Sequence, residues 1–200
     1  MKNSKGKSSK IFYEILTKNK ATPTSELKWE KVFPELYDEQ RYQYHLTANI
    51  SEIKLRNFQF KYIHRILPTN TLLQKMKITQ NSLCTFCNNS EETLEHLFLM
   101  CPVVEQLWEK VEKFISDKTQ NHTILSRVGK SFGTCKENNL INHITLLTRK
   151  HIYYSKIRKI KPSFRDLLQY VSTTKDIEKR ILYKNMNHEY YQEKWSCLDS

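Results

Sequence analysis

Glycine and proline are scarce in this sequence, three and five of 200 residues, which leaves little room for the tight turns that an all-β architecture needs. No run approaches the roughly 20 apolar residues of a membrane span. The opening segment MKNSKGKSSK carries charge with no apolar stretch behind it, so neither a membrane partner nor a secretory leader is expected. An intracellular, reducing setting in the nucleus or cytoplasm is the expectation, and there five cysteines make a poor disulfide framework. Adjacent aspartates are also missing. Asp38, Asp117, Asp166, Asp176 and Asp199 stand apart, without the paired carboxylates that a polymerase palm uses to hold two metal ions. His188-Glu189 lacks the second histidine of a metalloprotease helix. His64-Arg65-Ile66 lacks the glutamate of a zinc deaminase, and no glycine-rich phosphate loop exists. The expectation is a protein that is not an enzyme and takes no small-molecule substrate.

Acidic residues are few, 21 against 33 lysines and arginines, for a formal charge of +12. Such an excess speaks of partners, because a polyanion relieves the self-repulsion by releasing counterions. Two windows hold no acid at all: 53–90, with Lys54, Arg56, Lys61 and Arg65, and 138–165, with Arg149, Lys150, Lys156, Arg158, Lys159, Lys161 and Arg165. RNA or DNA is the expected partner, an acidic protein the alternative. A solvated basic face without any partner also accounts for either window taken singly.

What is plentiful is apolar spacing of three and four residues, which predicts a mainly α, multi-helix protein. The expected organisation is a disordered basic arm over 1–10, a helical segment over 11–80, and a metal-binding module with its following helix over 81–117. A loop over 118–138, with a short element near 124–128, and a basic helical segment over 139–200 complete it. Short helices are expected at 11–16, after Ser25 up to Pro34, and from Asp38 toward Thr47. A stronger one runs over 51–66, where Leu55, Tyr62 and Ile66 share a side and Lys54, Lys61 and Arg65 lie about a quarter turn away. Thr69 caps another. Val103, Val104, Leu107, Trp108, Val111, Phe114 and Ile115 form the clearest core stripe. Later helices are expected over 139–160, with Leu140, Ile144, Leu147, His151 and Tyr154 on one side, then over 164–171 and 176–195. The last carries a stripe of Ile177, Ile181, His188, Tyr191 and Trp195.

The segment CTFCNNSEETLEHLFLMC has the form C-x2-C-x8-H-x4-C. Three thiolates and one imidazole are the ligand count of a closed tetrahedral zinc site. A tight turn lets the sulfurs of Cys84 and Cys87 reach one ion at about 2.3 Å. Glu91 and Glu92 are expected in the first turn of the helix carrying His96, where the dipole favours carboxylates. An ideal helix would turn Cys101 away from His96, five residues being about 500 degrees. Pro102 takes the chain out of that geometry and fits the first position of the next helix, leaving Cys101 at its positive end. Leu94, Leu97, Phe98 and Met100 are expected beneath the ligands, and Phe86 outside, free to stack on unpaired bases. Cys135 and Cys197 have no such neighbours. The competing account is a set of unrelated buried residues, since free cysteine and histidine are often core side chains.

The run LPTNTLLQKMKITQNSLCTFCNNSEETLEHLFLMCPVVEQLW resembles the zinc-binding region that follows the reverse transcriptase of non-long-terminal-repeat retrotransposons of the long interspersed element type. The features that carry the resemblance are the basic helix KYIHRILPTN, the C-x2-C pair, Glu92-Thr93 before His96, the block HLFLMCP and Trp108. It implies one structural Zn2+ on Cys84, Cys87, His96 and Cys101, no polymerase activity, and a role in binding element RNA or target DNA during target-primed reverse transcription. Lys54, Lys61, Arg65, Phe86, Arg149, Lys150, Lys156, Arg158, Lys159 and Lys161 are the residues expected to touch nucleic acid. A zinc-held protein-interaction scaffold and a non-functional fragment of a retroelement reading frame are the alternatives.

Overall fold

In a computed structural model the described residues are 23–34, 52–133 and 139–198. The expected arm over 1–10, the helices at 11–16 and 38–47, and Cys135 lie outside them. The chain divides into two units, 1–37 and 38–200. In the first, α1 spans Thr24–Val32. It ends as the residue before Pro34 turns to extended geometry, Phe33 having φ −133° and ψ 82°, as the proline ring demands. Trp29 and Phe33 stack at 5.9 Å.

The second unit contains α2 (Ile53–Ile63), α3 (Asn70–Lys75), a π turn (His96–Met100), α4 (Pro102–Thr119), α5 (Arg127–Phe132), α6 (Asn139–Arg158), α7 (Phe164–Lys184), α8 (His188–Trp195) and a closing 3-10 turn (Ser196–Leu198). The mainly helical expectation holds: no strand occurs among the described residues, whose sheet-like pairing is the bridge between Leu83 and Glu91. No described helix is long and apolar enough to cross a membrane.

Helix α6 is the axis of this unit, with α2, α5, α7, α8 and the π turn packed on it. The expected stripe of α6 is therefore too narrow. Leu140, Ile144 and Leu147 are buried as anticipated, but so are Ile141, Leu146 and Ile152, while Tyr154 is exposed. Its buried threonines hide their hydroxyls by donating to carbonyls of their own helix, Thr145 to Asn142 and Thr148 to Ile144. A polar composition thus serves an interior helix.

Three further differences have local causes. Helix α2 stops three residues early because Arg65 adopts φ 57° and the Ile66 N–H donates to the Lys61 carbonyl, a left-handed helix ending. Ile66 then turns outward and Ile63 is buried in its place. The expected loop contains α5, which Ser126 caps through the Gly129 N–H at 3.0 Å. Gly133 ends it at φ 85°, where an added Cβ would clash with Asn142 Oδ1. Finally, α7 is continuous and buries Leu167, Val171, Thr174, Glu178 and Leu182. Of the expected stripe, Ile177 and Ile181 face outward, whereas Tyr191 and Trp195 are buried.

Candidate metal centre

The donors begin in a loop, and backbone hydrogen bonds give that loop its shape. Cys84 N–H donates to the Ser90 carbonyl at 2.8 Å and Asn88 N–H to the Cys84 carbonyl at 2.9 Å. Asn88 takes the left-handed conformation, φ 52°, which asparagine tolerates better than most residues. The turn brings Phe86 N–H to Cys84 Sγ at 3.4 Å and sets Cys87 beside Cys84.

Glu92 fastens this loop to the helices. It is fully buried, not a solvated first-turn carboxylate as its position suggested. Oε1 accepts from the Asn70 N–H at the start of α3, 2.9 Å, and Oε2 from the Thr85 N–H and hydroxyl at 2.8 and 2.6 Å. Lys156 of α6 supplies the counter-charge at 3.5 Å and donates to the Pro68 carbonyl at 2.7 Å. A buried carboxylate persists where it is paired and hydrogen-bonded in this way.

The second pair of donors depends on the π turn. Cys101 N–H donates to the His96 carbonyl at 2.8 Å, an i to i+5 ring that widens the helix to roughly 4.4 residues per turn. Five residues then return nearly to the starting direction, so His96 and Cys101 face the same side. The proline adds the rest: Cys101 is extended at φ −71°, ψ 126°, and Pro102 opens α4.

The side-chain donor atoms of Cys84, Cys87, His96 and Cys101 all lie within 4.8 Å of one another. Cys84 Sγ and Cys101 Sγ are 3.8 Å apart, and Cys87 Sγ and His96 Nε2 are 3.3 Å apart. Ligands at about 2.3 Å for sulfur and 2.0–2.1 Å for nitrogen around a tetrahedral ion are separated by roughly 3.8 Å and 3.6 Å. The spacing therefore fits a metal site, and it is far too long for a disulfide, about 2.05 Å. Without metal, Cys84 donates to Cys101: this bond and burial push the Cys84 thiol well up, whereas the same bond holds the Cys101 thiol down. The backbone N–H groups of Val103 and Val104 assist at Cys101. These four residues would hold one structural zinc, a cross-link between the loop and the helices.

Phe98, inside the π turn, ties the centre to the core. It meets Tyr62 of α2 edge-on at 5.0 Å, and lies 6.4 Å from Phe58 and 6.5 Å from Tyr153 of α6. Its carbonyl accepts from Trp108 Nε1 at 2.8 Å. Leu94 and Leu97 are buried alongside as expected; Met100 is not, and Leu99 is. The core stripe of α4 follows the reading at Val104, Leu107, Trp108, Val111 and Ile115, with Val103 and Phe114 half-buried.

The residues expected to touch nucleic acid separate into two groups. Lys54, Lys61, Arg158, Lys159 and Lys161 are exposed. Five others are engaged inside. Phe86 is only 5% exposed, because the turn that joins the two cysteines directs it inward, so it offers no stacking face. Arg149 is 1% exposed, donates to the Ser131 carbonyl and lies 4.7 Å over the Tyr62 ring. Lys150 pairs with Glu52 at 2.8 Å, Lys156 with Glu92, and half-buried Arg65 with Glu95. Burial holds the Arg149 guanidinium down at about 10, still charged at neutral pH.

Fold and donor set together define a zinc-stabilised helical domain. The family described as zinc-binding in reverse transcriptase matches residues 8–108, half of the chain, and the chain belongs to that family. No curated protein sequence matches it. The family match takes in all four donors and stops at Trp108, the residue that bonds to the π turn.

Proposed function

We propose that this protein is a nucleic-acid-binding module of the non-long-terminal-repeat retrotransposon type, held in shape by zinc and without polymerase or nuclease chemistry of its own. One observation carries the reading. Lys54 and Lys61 on α2, and Arg158, Lys159 and Lys161 at the end of α6, are exposed and form no ion pair with a described carboxylate, whereas Arg65, Lys150 and Lys156 are paired internally. Charge left over after internal pairing is what a phosphate backbone recruits. With four protein ligands the zinc retains no position for water, so it shapes the fold and does not activate a nucleophile.

The test is a filter-binding titration of zinc-loaded protein against single-stranded RNA and duplex DNA at two salt concentrations. Saturable binding is expected, with affinity falling by roughly 0.7 to 0.9 logarithmic units per phosphate neutralised for each tenfold rise in salt. Saturable binding to neither polymer overturns the proposal and leaves the scaffold reading in its place.

A further inference from the structure

The seam between α2 and α6 carries a groove. A cleft of about 600 Å3 is lined by Lys54, Lys150, His151, Tyr154, Arg158 and Tyr170, among others. A smaller hollow of about 230 Å3 is lined by Asn57, Lys61, Tyr153 and Ile157, again with Lys54 and Tyr154. Two shared residues make the hollows neighbours along one path, and the larger has the size of a small-ligand pocket.

The charge in this path is positive after its acids are accounted for. Glu52 is committed to Lys150 at 2.8 Å. Asp166, in the first turn of α7, is the other carboxylate at the cleft. Against it stand Lys54, Lys61 and Arg158, none of which pairs with a described carboxylate. Tyr154 lines both hollows and is 43% exposed, with the Lys150 ammonium over its ring, 5.8 Å from the centroid. His151 lines the same cleft. Cations spaced along a groove with an accessible ring in the same lining match the chemistry of an unpaired strand, whose phosphates need charge and whose bases need a π surface.

We infer that this groove holds a single strand of nucleic acid, with one base stacked on Tyr154 and the flanking phosphates at Lys54, Lys61 and Arg158. The inference rests on the nucleic-acid reading and adds to it the strand form and the stacking residue, a role that Phe86 cannot fill. A duplex, whose bases are stacked on each other, gains nothing from Tyr154.

The experiment measures anisotropy of labelled oligo(U) and oligo(dT) with the full zinc-loaded chain, with an unlabelled duplex as competitor and with melting temperature and zinc content recorded for each variant. Tyr154→Ala is expected to weaken single-strand binding about five- to a hundredfold while leaving duplex competition unchanged. Tyr154→Phe, which keeps the ring, stays within about twofold. Lys54→Ala lowers affinity for both strands and makes the salt dependence shallower by about one phosphate. Tighter binding of either strand identifies the sugar the groove accepts and supports the inference. Wild-type protein that binds no nucleic acid overturns the functional reading and this inference together. Wild-type binding that survives Tyr154→Ala, or is lost equally in Tyr154→Phe, overturns the inference alone.

Discussion

Two buried carboxylates organise two regions of the helical unit, and their company differs. Glu92, within the residues matched by the family, accepts three hydrogen bonds from Asn70 and Thr85 beside a loop with almost no regular structure and four metal donors. Glu178, on α7 and outside the matched residues, accepts from Lys194 Nζ at 2.7 Å and Trp195 Nε1 at 2.9 Å. Here three helices already pack together. His143 of α6 closes that second cluster, with Nδ1 3.0 Å from the Lys194 ammonium. The contrast teaches what the metal is for. Helices bury their own backbone polar groups, so α6, α7 and α8 need only side-chain pairing. The 82–92 loop contains no helix, and there a metal cross-link adds to the backbone bonds that shape it.

Substitutions should separate the two regions. The largest effect is expected from Cys101→Ser, which removes a zinc ligand and a helix-starting thiolate together. It should abolish stoichiometric zinc binding and lower stability by several kcal/mol, on the order of what structural zinc contributes to small folds. Equal zinc content and equal unfolding midpoints in the variant and wild type count against the assignment. Next come Glu92→Ala and Glu178→Ala, each stranding a buried lysine at a cost of about 3–5 kcal/mol. Both should melt earlier, but only Glu92→Ala should also weaken zinc affinity in a chelator competition. Equal effects on zinc would mean that the regions are not separable.

The smallest effect is one of pH. Burial, then the nearby charges of Lys194 and Lys150, hold the His143 imidazole well below its usual range, so it stays neutral when folded. The unfolded chain takes up that proton as pH falls below about 6.5, and stability therefore declines with acidification. Between pH 7.5 and 5.5 the contribution is about 1.4 kcal/mol for this group. Protonation of the zinc ligands acts in the same direction, so the comparison is with His143→Gln in denaturant titrations at both pH values. The variant should lose less stability on acidification than the parent. An identical loss removes His143 from the account.

The same two regions differ in how far they could be read from sequence. The zinc donors were legible because a chelating spacing is local: a tight turn, a helix and a proline fix where four side chains point. Even there the π turn was not visible, since nothing in HLFLM distinguishes an i to i+5 ring from an ordinary helical turn. Phe86 was misplaced because the side of a turn on which a side chain falls depends on backbone dihedrals. Arg149, Lys150 and Lys156 are buried against expectation for a different reason. Their partners are remote, Glu52 lying 98 residues from Lys150 and Pro68 lying 88 from Lys156, and helical periodicity says nothing about contacts at that range. A basic window thus conceals two kinds of residue, those that neutralise buried acids and those that stay exposed.

One zinc ion, on Cys84, Cys87, His96 and Cys101, would order both the loop and the π turn. Native-state hydrogen exchange before and after chelation, with zinc content measured on the same samples, tests it most directly. One zinc per chain is expected, and its removal should release the amides of Cys84, Asn88 and Cys101 far more than those in the middle of α7. A folded chain that contains no zinc, or one that loses it while those three amides stay protected, contradicts the account.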